Sequence, residues 1–142
     1  MSVALAGAGA FGEQRLDGRK RIGNVEIVPI ISRTAERAAR VAKKYGARQS
    51  STTLADTLTR DDVDDAILGT PTQMHAEQAI ACMKAGKHIQ VEIPLANSLA
   101  DAEAVRASQL ATGLTCVVGC TRRIYPSQQY VQARITSGQF KI

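Results

Sequence analysis

The chain has 142 residues, 44% of them hydrophobic, and a formal net charge of +5 from 18 basic and 13 acidic side chains, which is enough for one domain with its own core. No apolar stretch approaches the ~20 residues that cross a bilayer, and the N-terminal segment has no basic n-region, so a soluble cytoplasmic protein with no membrane partner is expected. Cys82, Cys116 and Cys120 are an odd count without paired Cys or His ligands, which predicts reduced thiols and no metal site.

Residues 3–6 are a short run of Val, Ala and Leu and read as a strand buried on both faces. Immediately after it stands Gly7-Ala8-Gly9-Ala10-Phe11-Gly12, a match to G-x-G-x-x-G. Each glycine has its own reason: Gly7 for the tight turn, Gly9 for backbone approach to a diphosphate, Gly12 for close packing of helix on strand. A helix over 11–21 would then offer free N–H groups and its positive dipole end, with Ala10 and Phe11 at the start. Its basic cluster, Arg15, Arg19, Lys20 and Arg21, has no interleaved aromatics for base stacking. A solvated helix face is expected, with no nucleic-acid partner.

A second strand over 25–31 follows at the spacing of a dinucleotide-binding βαβ unit. At its end an NAD-selecting protein places an acid that accepts from both adenosine ribose hydroxyls. This chain has Ser32-Arg33-Thr34 instead. A guanidinium between two hydroxyls suits the 2'-phosphate, which a carboxylate would repel, so NADP is the expected cofactor. Arg37, one turn on, is a second candidate contact.

Helical spacing then covers 34–45, 54–59, 72–85 and 98–112, alternating with strand-like runs at 66–68, 88–91 and 114–118. Gly46, Gly86 and Gly113 read as C-terminal punctuation, and Thr34, Thr72 and Ser98 as N-cap oxygens. This alternation predicts an α/β fold, a doubly wound parallel sheet of six or so strands with right-handed crossovers. The dinucleotide-binding domain is placed at 1–121. Residues 122–142 read as a helix opening at Pro126, a stop at Gly138 and the start of a strand at Phe140, leading into a second domain of a longer protein.

The segment from Leu68 to Ala96 carries Thr70-Pro71-Thr72-Gln73-Met74-His75 and Gly86-Lys87-His88-Ile89-Gln90-Val91-Glu92-Ile93-Pro94. It resembles the cofactor domain of the glucose-fructose oxidoreductase, inositol dehydrogenase and rhizopine catabolism family, through its TP-x-x-x-H and GKH-x-x-x-E-x-P elements. The resemblance extends over essentially the whole chain. It implies that Thr70, Pro71 and Thr72 touch the cofactor at the mouth of the sheet, that His75 lies near it, that Glu92 faces its ribose, and that Pro94 is a cis-proline turn shaping the nicotinamide pocket. Ile93 departs from the family, which carries a lysine there that helps proton transfer, so that role does not carry over.

Arg122 and Arg123, in the loop after the last strand, suit a substrate bearing carboxylates. Cys120 is read as structural, because no adjacent base is evident to activate it. The resemblance implies NADP-dependent oxidation of a small dicarboxylate-type aldehyde reacting as its cyclic hemiacetal, which needs a base, a hydride acceptor and orientation but no cysteine nucleophile. It also implies a second domain that completes the substrate pocket and carries the homodimer contact. Two alternatives stay open: a non-catalytic NADP(H)-binding module, and a sugar or inositol dehydrogenase, which Ile93 and the paired arginines disfavour.

Overall fold

The computed structural model describes residues 1–140. Six parallel strands form one sheet: β1 (Ser2–Ala6), β2 (Glu26–Ile31), β3 (Gln49–Ser51), β4 (Asp65–Leu68), β5 (His88–Val91) and β6 (Cys116–Val118), in the order β3-β2-β1-β4-β5-β6. The helices are α1 (Ala10–Arg19), α2 (Ala35–Tyr45), α3 (Ala55–Leu58), α4 (His75–Lys84), α5 (Leu99–Thr112) and α6 (Pro126–Thr136). This is the doubly wound arrangement expected, because a strand without polar alternation must be covered on both faces.

The two faces are read directly from β1. Val3 and Leu5 point to one side and join Leu16 of α1 with Val41, Ala42 and Tyr45 of α2. Ala4 and Ala6 point to the other, where Ala79, Cys82 and Met83 of α4 and Val105 of α5 close the core. The α1 and α2 helices are further tied by Glu13, which accepts from Lys44 Nζ at 2.6 Å. That bond is the main reason the Glu13 carboxyl sits below its ordinary value, against a smaller opposing effect of burial.

Local punctuation follows the chemistry in most places. Gly46 and Gly113 close α2 and α5 at φ of 69° and 68°, the left-handed region that glycine enters without penalty. Ser98 Oγ accepts from the Asp101 N–H at 3.1 Å, and Pro126 stands at the start of α6. Two cap expectations are corrected. Thr34 precedes α2 but makes no side-chain cap bond, and Thr72 lies inside a 3-10 turn, Thr72–Met74, entered from Pro71. The basic stretch of α1 is also not simply solvated: Arg15 is 24% exposed and paired, and Arg19 Nε donates to Val25 O at 2.8 Å. The strand expected to begin at Phe140 runs into Lys141 and Ile142, outside the described residues. No helix among the described residues is long and apolar enough to cross a membrane, and no cluster of His, Cys, Asp or Glu among them could hold a metal ion.

Candidate functional site

Strand order places β1 and β4 side by side, with Ala6 opposite Leu68. From there the chain winds outward in both directions, so the loops after β1 and β4 diverge and leave a crevice at the carboxyl edge, the usual ligand position in such sheets. The loops are stitched to the sheet: Gly7 N–H donates to Ile31 O at 2.9 Å and Gly69 N–H to Ala6 O at 2.7 Å.

The three glycines differ in what enforces them. Gly7 has φ of 102°, and a Cβ there would run into the Gly69 carbonyl. At Gly12 a Cβ would meet the Gly7 carbonyl and stand 3.3 Å from Leu5 Cδ2, so this glycine lets α1 sit on the strand. At Gly9 a Cβ would meet nothing within 4 Å. Gly9 also opens α1 with no side-chain cap, and the N–H groups of Ala10, Phe11 and Gly12 have no protein acceptor among the described residues. An uncapped helix start beside open space fits an anion supplied by a ligand, and the loop therefore fits a dinucleotide diphosphate.

Across the crevice, β2 leads into Ser32-Arg33-Thr34. Ser32 is buried and its N–H donates to Ser51 O at 3.1 Å, pinning the turn to β3. Arg33, Thr34 and Arg37 are exposed, and neither arginine takes part in an ion pair among the described residues. Their charge is thus available to an anionic partner.

The opposite wall is built from the loops after β4 and β5. Thr70 Oγ1 donates to Gln78 Oε1 at 2.6 Å, Pro71 is exposed and Thr72 half-buried. His75 is 1% exposed. Its Nε2 lies 2.8 Å from Thr70 O and its Nδ1 2.7 Å from Pro94 O. One imidazole therefore spans both loops, donating to one carbonyl in a neutral tautomer and to both when doubly protonated. The Ile93–Pro94 peptide is cis, and Ile93 is exposed.

Glu92 meets a residue the sequence did not single out for the site. Arg15 Nε donates to Glu92 Oε1 at 2.5 Å, and Arg15 Nη2 pairs with the same oxygen. Gly119, at the end of β6, packs beside them. Arg122 and Arg123 are exposed on a 3-10 turn, Thr121–Ile124, and with Gln128 and Gln132 line an open groove of about 530 Å³ that includes no residue of the glycine loop. The fold thus brings the glycine loop, the β2 end and the two loops held by His75 to one edge, and the arginine pair, in the segment after β6, lines a groove with α6. Cys120 is exposed, and Cys82 is buried with its thiol pushed up to about 12 by desolvation.

A family model described as an oxidoreductase family with an NAD-binding Rossmann fold matches residues 1–120. Over all 142 residues the chain is 66% identical to 4-carboxy-2-hydroxymuconate-6-semialdehyde dehydrogenase of a Sphingobium species, of which it covers 45%. It is 34% identical over 103 residues, 72% of its length, to scyllo-inositol 2-dehydrogenase (NAD(+)) of Bacillus subtilis, covering 30% of that protein. Among solved structures it is similar to KijD10, a 3-ketoreductase from Actinomadura kijaniata in complex with NADP and TDP-benzene, with a TM-score of 0.89, 26% identity, 97% of this chain and 42% of that one. The chain therefore spans less than half the length of these relatives. With the fold, the glycine loop and the match over residues 1–120 in agreement, the chain belongs to the Gfo/Idh/MocA oxidoreductase family, of which it carries the NAD(P)-binding Rossmann domain.

Proposed function

We propose that the chain is the NADP(H)-binding domain of a dehydrogenase that oxidises 4-carboxy-2-hydroxymuconate-6-semialdehyde, as its cyclic hemiacetal, to 2-pyrone-4,6-dicarboxylate. The observation that carries the substrate is the 66% identity, over the whole chain, to a relative of that name. Support for the cofactor choice comes from Arg33, exposed and without an ion-pair partner among the described residues, where an acid would select NAD.

In this reading Gly7, Gly9, Ala10, Phe11 and Gly12 form the diphosphate cradle. Ser32, Arg33 and Thr34 bind the 2'-phosphate, with Arg37 as a second cation. Thr70, Pro71 and Thr72 border the nicotinamide side, His75 holds their loop against Pro94, and Glu92 accepts from the ribose. When bound, NADP+ supplies the hydride acceptor. The substrate hemiacetal already bears a hydroxyl on the reacting carbon, so the protein's part is to orient it and to take one proton. Arg122 and Arg123 balance the substrate carboxylates, which requires the α6 side to be completed by the remainder of a longer protein. The same remainder would carry a homodimer contact, in a cytoplasmic enzyme.

The test is NADP+ reduction by the full-length protein, followed by absorbance, with the semialdehyde and with scyllo-inositol. Turnover with the semialdehyde alone is expected; preferential turnover with the polyol would overturn the substrate reading. The chain covers 45% of its relative, which favours a second reading for the isolated piece: it binds NADP(H) as a module and turns over negligibly. Robust semialdehyde oxidation by the isolated chain would contradict that.

A further inference from the structure

We propose that Arg15 is a positioning residue of the cofactor site: from the helix that opens the glycine loop it holds Glu92 so that the carboxylate's second oxygen faces the ribose on the nicotinamide side, with Gly119 keeping the room for it. The proposal rests on the reading above in which Glu92 borders that ribose.

Three elements converge on the pair. Arg15 lies three residues beyond Gly12 on α1, Glu92 follows β5, and Gly119 follows β6. The backbone on both sides is fixed, Glu92 N–H donating to Leu68 O at 3.0 Å and Gly119 N–H to Val91 O at 2.8 Å. Among the ion pairs of the described residues, this is the one with both side chains less than a quarter exposed, 24% for Arg15 and 14% for Glu92; Arg48 and Glu26, by contrast, are 55% and 44% exposed. A pair this far removed from water is held in one geometry more firmly than a solvated one, where screening and side-chain entropy cancel most of the attraction.

The arrangement is also asymmetric. Both Arg15 nitrogens lie on Glu92 Oε1, and Oε2 has no protein donor among the described residues. An ionised carboxylate has acceptor capacity on both oxygens, so Oε2 is left for a hydroxyl donor. The space beside it exists because residue 119 has no side chain: a Cβ there would stand 3.0 Å from Oε2 and 3.2 Å from Arg15 Nη2. Arg15 thus holds the carboxylate through one oxygen, and Gly119 leaves room beside the other.

The experiment is calorimetric titration of wild type, Arg15→Met, Glu92→Gln and the double variant with NADP+ and with 2',5'-ADP, which keeps the 2'-phosphate but lacks the nicotinamide half. Each single variant is expected to bind NADP+ about tenfold more weakly and 2',5'-ADP unchanged, and the double variant to bind no worse than either single, since the two side chains act as one unit. Gly119→Ala, which crowds the pair without removing it, is expected to weaken NADP+ in the same selective way. Equal weakening of both ligands by Arg15→Met would mean that the glycine loop itself had been disturbed, and additive losses in the double variant would mean that Arg15 acts on the ligand independently of Glu92; either result overturns the proposal. Failure of the wild type to bind NADP+ would instead overturn the cofactor reading on which it rests.

Discussion

Replacing His75 by alanine removes a buried side chain that joins the loop after β4 to the loop after β5. The ring is 1% exposed, with nitrogens 2.8 Å and 2.7 Å from Thr70 O and Pro94 O. Losing a buried hydrogen bond costs about 1 kcal/mol net, and more where the abandoned carbonyl finds no water. Truncating a buried ring adds a cavity term, so the total is about 2–4 kcal/mol. Urea unfolding followed by circular dichroism would measure it, with Gln73→Ala as control on the same turn, where the side chain is exposed and a change within about 0.5 kcal/mol is expected. A His75→Ala loss no larger than that of the control would refute the bridging role.

Further expectations follow from the same geometry. Gly12→Ala should destabilise the domain by about 1–3 kcal/mol and abolish cofactor binding, because the new methyl meets the rigid Gly7 carbonyl rather than a yielding side chain; thermal melts with and without NADP+ would read both. Thiol labelling of the native chain near neutral pH should modify exposed Cys120 quickly and spare Cys82, whose thiol is buried and pushed up to about 12, until urea is added; early Cys82 labelling would contradict the packing of α4. Burial raises the Asp65 carboxyl above its ordinary value, with the Ala66 backbone and His88 pulling the other way, and Asp65 Oδ1 has no hydrogen-bond partner among the described residues. A raised folded pKa favours the protonated form, so the Asp65 contribution is fully present below the unfolded value of ~3.9 and is lost as pH rises through the folded one. Asp65→Asn should therefore be more stable than wild type by about 1 kcal/mol at pH 7, with the gain gone near about pH 3; equal stability at neutral pH would count against it.

What the sequence revealed and what it hid divide along physical lines. β1, β2, β4 and β5 are legible because their buried positions carry short runs of Val, Ile, Leu and Ala, even where β5 sets exposed His88 and half-buried Gln90 between them, and the glycine loop because its turn tolerates few other residues. β3, Gln49-Ser50-Ser51, carries no such mark: it is an edge strand of polar residues held by backbone pairing to β2, and backbone bonds leave no trace in side-chain pattern. Thr72 looks like a cap, but Pro71 supplies the extended residue before the turn and displaces it by one position. Arg15 belonged by composition to a basic helix face. Its partner is 77 residues away, and a contact made only by the return of β5 to the sheet has no local signature. The His75 bridge is hidden for the same reason, since its second acceptor lies 19 residues on, beyond the next strand.

The central claim, that this domain selects NADP through Arg33, is tested most directly by calorimetric titration of the chain with NADP+ and NAD+, before and after Arg33→Ala. The account predicts at least tenfold tighter binding of NADP+, a difference of about 1.4 kcal/mol or more, and loss of that preference in the variant. Equal affinity of the two cofactors for the wild-type chain, or a preference that survives the substitution, would contradict it.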